Sequence, residues 1–260
     1  MTDLPAIAPY DPTPPPPPVT IPRPERDALP WWFALMQVFL VSGIPTQTVL
    51  LSPLLLRGVP LLDGDNISLE LFATLSLLDT AFVALLIRLF LTLSKETSQS
   101  VFFGNRPVGR EALLGVLLIP VVFGVVLAIV VGLREIAPWM HNVPKSPLEA
   151  YMRTPTDATI FAVVVILAGG VREELQRAFI LHRFEQRLGG IWVGLAAFSL
   201  AFGLLHIDQG FDAALAVGSL GLFWGLLYVK RRSAVMAMVN HAGFNAGQVL
   251  QVVLSRAFGM

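Results

Sequence analysis

The sequence contains no cysteine and few charged residues, and each of these features excludes some kinds of site or partner. Without cysteine the chain has no disulfide, no thiolate nucleophile and no Cys-ligated metal. Charged residues make up 14% of the chain, whereas an ordinary soluble domain has about 25%. The net charge is zero and no basic cluster is interleaved with aromatic residues, so a nucleic-acid partner is not expected.

Apolar residues dominate instead, at 55% of the sequence, and the mean hydropathy is +0.69. Such an excess must face something other than water, and the lipid bilayer is the simplest partner for it. Residues 1–30 are the exception, because they hold 11 of the 20 prolines and lack the apolar segment of a signal peptide. They predict a disordered, extended cytoplasmic tail that acts as a spacer or, alternatively, as the ligand of an SH3-like domain.

Residues 31–260 predict one all-α domain, a polytopic transmembrane bundle of about seven or eight helices. Apolar blocks of spanning length occur at 31–54, 69–94, 112–133, 158–187, 190–207, 212–229 and 233–254. An eighth helix would come from the region around 141–157 or from a split in a long block. Lysine and arginine are more frequent in the loops on the side of the N-terminus, which predicts that the N-terminus is cytoplasmic.

The fourth block carries ionisable residues where lipid-facing sequence is expected. Its segment VREELQRAFIL, 171–181, contains Arg172, Glu173, Glu174 and Arg177. An ionisable side chain at the centre of a membrane helix costs roughly 2.5–3.5 kcal/mol even on the lenient insertion scale, so it needs a reason. Arg177 is spaced to pair with either glutamate. The segment is therefore either an ion cluster at a helix end, or a site in which one carboxylate pairs with arginine and the other faces a cavity.

Two later blocks carry the remaining polar groups. AFGLLHI, 201–207, places Phe202 and His206 one turn apart, and VNHAGFNAG, 239–247, places His241 and Asn245 on one helix face. Taken singly, these side chains fit an interfacial histidine and an interhelical hydrogen bond. Taken together, three helices offer a carboxylate, two imidazoles and an amide to one cavity. Such groups activate a water and stabilise an oxyanion, and they also bind metal.

In this order the motifs resemble those of the CPBP family of intramembrane proteases, which includes the CAAX prenyl proteases and bacterial Abi-type proteins. The family pattern is EExxxR, FxxxH and HxxxN, and the segments 202–206 and 241–245 satisfy the second and third motifs. The resemblance covers a catalytic core of residues 155–255. The first motif departs from the pattern because Arg177 follows the glutamate pair one position early. If the arginines are aligned, Arg172 takes the place of the first glutamate and Glu173 that of the second.

The resemblance implies an intramembrane endopeptidase that hydrolyses a peptide bond of a membrane-associated protein or peptide, in the inner membrane of a bacterium. It implies a glutamate as general base on a water, and Glu173 is preferred to Glu174 for this role. The implied catalytic residues are Glu173, Glu174, His206, His241 and Asn245, with Arg177 and Phe202 as supporting residues.

The resemblance leaves the cofactor open. A glutamic mechanism without a cofactor is preferred, and the alternative is a zinc ion held by His206, His241 and Glu173, although the sequence has no HExxH motif. The alternative function is non-catalytic: an immunity or scaffold protein of the membrane, or a proton-coupled carrier that uses the same Glu/His cluster.

Overall fold

The computed structural model describes residues 29–64, 66–144 and 146–259. These residues form an all-α structure with one small antiparallel hairpin, in which Leu62 pairs with Ile67 and Asp63 with Asn66. The α-helices are α1 Trp31–Val41, α2 Ile44–Leu56, α3 Leu69–Leu93, α4 Val108–Leu117, α5 Ile119–Ile136, α6 Pro155–Val164, α7 Glu173–Arg187, α8 Ile191–Leu204, α9 Phe211–Arg231 and α10 Val235–Phe258. The strands are β1 Leu62–Asp63 and β2 Asn66–Ile67; π-helical turns cover Gln99–Phe103 and Val165–Arg172, and 3₁₀ turns cover Pro138–Met140, Pro147–Tyr151 and Ile207–Gln209.

Every predicted apolar block is helical, but the predicted number of spans is not confirmed. Within the described part of the chain, three helices are long and apolar enough to cross a membrane: α3, the α4–α5 pair Val108–Ile136, and α9. Helices α1 and α2 would make a fourth span if the pair, bent by 43°, is counted as one. The Pro-rich tail and its SH3-like partner concern residues that lie, except for 29 and 30, outside the described ranges.

The other blocks fall short for physical reasons. Helix α8 has 14 residues, so at about 1.5 Å per residue it is shorter than the roughly 30 Å of hydrocarbon that a span must cross. The block predicted at 158–187 is interrupted by the π-helical turns, and its second half, α7, is charged. Helix α10 is long but carries Asn240, His241 and Asn245. The region around 141–157, where an eighth helix was expected, contains a short 3₁₀ turn, Pro147–Tyr151, and the first turn of α6.

Helix α7 is the centre of the bundle. It packs against α1, α3, α8 and α9, and its Phe179 and Leu181 are fully buried. The π-helical turns before it pack closely on α10: a Cβ atom added at Gly170 would lie 2.5 Å from the Cα of Ala242. This close approach brings the charged segment of the chain next to the polar face of α10.

One end of α7 is tied to the end of α3 by a polar network. Glu96 lies 2.6 Å from His182 Nε2 and 2.5 Å from Arg183 Nη1, and Gln37 Oε1 accepts a 2.6 Å hydrogen bond from Arg183 Nε. Burial raises the pKa of the Glu96 carboxyl, but hydrogen bonds from His182 and Arg183 outweigh it and lower the pKa from 4.5 to about 2. This network is part of the scaffold and lies apart from the predicted site.

Candidate active site

The predicted acidic motif begins where the helix changes type. Helix α6, the π-helical turns Val165–Arg172 and α7 form a continuous helical stretch, and Glu173 is the first residue of α7. A π-helical turn holds an extra residue and leaves backbone groups to be satisfied by others, which is why such turns are frequent at functional sites. Here Asn245 Nδ2 donates a 2.9 Å hydrogen bond to the Val165 carbonyl. The amide of the third motif is therefore attached to the helix that carries the first.

The two adjacent glutamates have different surroundings. Glu174 is 1% exposed, and its Oε1 accepts hydrogen bonds from Arg177 Nη1 and, at 2.9 Å, from His241 Nδ1. The sequence left open which glutamate pairs with the arginine, and in the structure it is Glu174. Because a carboxylate only accepts, Nδ1 of His241 carries a hydrogen, and Nε2 is the accepting nitrogen when the ring carries one proton.

Glu173 faces this free nitrogen. Its side chain is 20% exposed, and its Oε2 lies 3.9 Å from His241 Nε2. The distance is too long for a direct hydrogen bond and suits two groups that share a water. The polar groups that the sequence predicts on the first and third motifs are thus brought together by α7 and α10.

Arg172 is the other neighbour of Glu173. Its Nη2 lies 3.5 Å from Glu173 Oε1, and its Nη1 donates to Asp79 Oδ2 on α3. Asp79 is fully buried and also accepts hydrogen bonds from Thr46 Oγ1 and Gln47 Nε2 on α2. A buried carboxylate on α3 therefore holds Arg172, the residue that takes the place of the first glutamate of the pattern if the arginines are aligned.

Arg177 is enclosed by aromatic rings. Its guanidinium carbon lies 5.0 Å from the ring centre of Phe198, 4.9 Å from that of Phe202 and 5.6 Å from that of Trp224. Nε and Nη2 of Arg177 are buried without a hydrogen-bond partner in the described structure. Aromatic faces attract a cation and replace part of the lost hydration. Phe202 supports the site in this way, through its ring.

Phe202 also orients the second motif through its backbone. Its carbonyl oxygen lies 2.7 Å from His206 Nδ1, and because a carbonyl only accepts, Nδ1 donates. His206 follows the end of α8, and with the hydrogen on Nδ1 its Nε2, like that of His241, is the nitrogen that can accept when the ring carries one proton. The two predicted imidazoles thus offer the same kind of atom.

Most of the predicted residues line one cavity of about 770 Å³, a volume within the usual range for ligand pockets. Its lining includes Glu173, His206, His241 and Asn245. Glu174 and Arg177 are not among the lining residues and lie behind the wall that His241 forms. Most of the remaining lining is apolar, contributed by side chains such as Leu51, Val126, Val130, Phe161, Val217 and Val252.

The two other histidines differ in their relation to the cavity. His141 lines it, with Nδ1 2.8 Å from Asp212 Oδ2 and Nε2 3.3 Å from Arg134 Nη2. His182 belongs to the Glu96 network and does not line it. The sequence did not single out His141 as a site residue.

Three further neighbours of the site were not predicted: Arg172, Asp79 and Trp224. A signal existed for Asp79, since an ionisable residue interrupts the apolar block at 69–94. Arg172 was visible in the segment 171–181, but its partner Asp79 lies on another helix, far away along the chain. For Trp224 nothing in the sequence distinguishes it from a core aromatic residue.

The residues proposed for zinc do not form a three-ligand set. Within the described ranges, no group of three or more His, Cys, Asp or Glu side chains is arranged to hold a metal ion. Two of the three proposed ligand atoms, Glu173 Oε2 and His241 Nε2, lie 3.9 Å apart, and the hydrogen bonds made by Nδ1 of the two histidines leave their Nε2 atoms open. We therefore derive no step through a metal.

The chain matches the model of one protein family, described as type II CAAX prenyl endopeptidase Rce1-like, over residues 155–247. No curated protein and no solved structure matches the chain. The match starts with α6 and ends within α10, so it contains all three motifs. The family implies a protease, and together with the apolar helices of spanning length it indicates an integral membrane protein. The resemblance of these residues to the CPBP family of CAAX proteases is thereby confirmed.

Proposed function

We propose that the protein is an intramembrane endopeptidase in which Glu173 activates a water for attack on a peptide bond. The observation that carries the proposal is the 3.9 Å separation of Glu173 Oε2 and His241 Nε2 at the wall of an open cavity. Glu174 does not line that cavity and is hydrogen-bonded to Nδ1 of the same histidine. A water within hydrogen-bond reach of both atoms fits this separation. The partly exposed carboxylate is then the one that handles the proton.

Each cavity residue has its own part in the proposed hydrolysis. Glu173 takes a proton from the water while the water oxygen attacks the carbonyl carbon of the substrate. His206 and His241 hold the water through their accepting Nε2 atoms, and Asn245 offers an amide N–H to the oxyanion that develops. The proton on Glu173 then passes to the leaving nitrogen, and the C–N bond breaks.

Glu174 and Arg177 support this chemistry from behind the cavity wall. Glu174 fixes the tautomer of His241 by accepting from Nδ1, and Arg177 neutralises the charge of Glu174. We propose no metal in the reaction, since no three-ligand set occurs among the described residues. The alternative is a zinc ion held by His206, His241 and Glu173, and the effect of a chelator on cleavage distinguishes the two mechanisms.

The substrate that fits is a membrane-associated protein or peptide. The cavity volume of about 770 Å³ and its apolar lining suit an extended peptide with apolar side chains, and they also leave room for a prenyl group. The similarity to CAAX proteases makes a prenylated peptide the first substrate to compare with its unmodified form. The location we propose is the inner membrane of a bacterium, with the N-terminus in the cytoplasm.

The test is cleavage of a fluorescent reporter peptide by the purified protein in detergent. The proposal predicts cleavage by the wild type, loss of cleavage in His241→Ala, and no effect of a zinc chelator. His182→Ala is the matched control, because His182 bonds to a glutamate outside the cavity. Equal cleavage by the wild type and His241→Ala would contradict the proposal, and so would a wild type that leaves the reporter intact. Inhibition by the chelator, reversed by zinc, would replace the glutamic mechanism with the metal one.

A further inference from the structure

The imidazole of His241 is held by two contacts of different kinds. Its Nδ1 donates a 2.9 Å hydrogen bond to Glu174 Oε1. The indole of Trp224 covers the face of the ring, with centroids 3.6 Å apart and planes inclined by 14°. The hydrogen bond alone would allow the ring to tilt about the Nδ1–Oε1 line. The stack removes that freedom, and the direction of Nε2 is then fixed.

Trp224 is itself anchored by a short chain of hydrogen bonds. Its Nε1 donates to Asn240 Oδ1 at 2.8 Å, and Asn240 Nδ2 donates to the Gly115 carbonyl at 3.0 Å. Trp224 is 1% exposed and Asn240 is fully buried, so neither bond competes with bulk water. Gly115 lies where α4 packs closely on α10, because a Cβ atom there would lie 2.7 Å from the Met236 carbonyl oxygen. The hydrogen bonds thus connect the indole to this close contact between the backbones of α4 and α10.

We propose that Trp224 and Asn240 are positioning residues that direct Nε2 of His241 toward Glu173. The inference rests on the proposed function, since it gives this direction a purpose in activating water. Asn240 precedes His241 on α10, so their side chains leave the helix about 100° apart. Trp224 of α9 contacts both side chains: it donates to Asn240 and stacks on His241. Asn240 thereby acts on the orientation of His241 through a residue of another helix.

Cleavage kinetics test the proposal with variants that remove these contacts together or singly. Trp224→Leu removes the stack, the N–H and the ring face near Arg177, Trp224→Phe keeps an aromatic face without the N–H, and Asn240→Ala removes the anchor. Misplacing a group that aligns the reaction lowers kcat by on the order of 10- to 100-fold, so we expect such a fall in Trp224→Leu with KM unchanged. We expect Trp224→Phe to retain more of kcat than Trp224→Leu.

Tyr228→Phe is the matched control on the same helix. Tyr228 lies one turn after Trp224, is buried, and donates a 3.1 Å hydrogen bond to the Val101 carbonyl away from the cavity. Its loss removes one buried hydrogen bond, as Trp224→Phe does, and we expect kcat close to that of the wild type. A raised KM with unchanged kcat in Trp224→Leu would overturn the proposal, because the indole would then bind substrate.

A second readout does not depend on activity. In protein labelled with ¹³C at histidine Cε1, the His241 proton signal is identified by its loss in His241→Ala. A ring stacked on an indole is shifted upfield, so we expect this signal to move downfield in Trp224→Leu and in Asn240→Ala. An identical His241 signal in the wild type and both variants would overturn the positioning proposal alone. A wild type with the shifted signal but without cleavage would overturn the proposed function instead, and the purpose of the pair with it.

Discussion

Arg177→Met leaves the carboxylate of Glu174 inside the bundle without its arginine partner, and this should destabilise the protein. Arg177 and Glu174 are each 1% exposed and form an ion pair. Removing one partner of such a pair costs about 3–5 kcal/mol, because the other charge remains buried and unpaired. Methionine matches the length of the arginine stem, so the loss of packing is small. We expect the free energy of unfolding to fall by an amount in that range.

The double variant Arg177→Met/Glu174→Gln separates charge from packing. With both charges removed, the loss should be clearly smaller than the sum of the two single losses, by about 0.5–3 kcal/mol or more, since the residues are in contact. The assay is unfolding by SDS in mixed micelles, followed by circular dichroism. Arg153→Met is the control, because its pair with Asp63 is half-exposed and such surface pairs contribute about 0–1 kcal/mol. A loss in Arg177→Met no greater than in the control, or strict additivity in the double variant, would refute the reasoning.

Three further predictions concern packing, pH and topology. Gly170→Ala should lower the free energy of unfolding by about 1–3 kcal/mol through overpacking, whereas Gly124→Ala, with open space around it, should not. The pKa of Glu96 is lowered to about 2, so its contribution is present above pH 4.5 and is lost as pH falls toward 2; the stability difference between wild type and Glu96→Gln should shrink across that window in acid titrations. Because the chain lacks cysteine, Ser98→Cys and Ser146→Cys can each be labelled alone. In intact cells an impermeant maleimide should label only Ser146→Cys, and the reverse pattern would contradict a cytoplasmic N-terminus.

The sequence predicts the helical blocks well because their signal is local. Each predicted block is found as helix within a few residues, since an apolar segment of spanning length satisfies its own backbone groups in lipid by forming a helix. The number of spans is a different matter, because it depends on how helices break. The bend between α1 and α2 follows Ser42 and a left-handed Gly43, and the π-helical turns before α7 satisfy their backbone through Asn245, a residue far along the chain.

The candidate site shows the same limit. The motif residues could be listed from the sequence because their spacing along each helix is local. The partner of Arg177 could not, since both glutamates are within its reach and the position of His241 on another helix distinguishes them. The pairing of Arg172 with Asp79 and the stacking of Trp224 on His241 are contacts between distant segments. Such contacts are set by packing and leave no pattern in the residues near them.

The most direct measurement compares Glu173→Gln and Glu174→Gln in the reporter cleavage assay. Glu173 is the proposed general base, so Glu173→Gln should lose the contribution of that base, about 10²–10⁴-fold in kcat, and remain as stable as the wild type. Glu174→Gln should retain measurable cleavage, because a glutamine Oε1 can still accept the hydrogen bond from His241 Nδ1, while its stability falls. Equal residual cleavage in the two variants, or loss of cleavage in Glu174→Gln alone, would contradict the central claim.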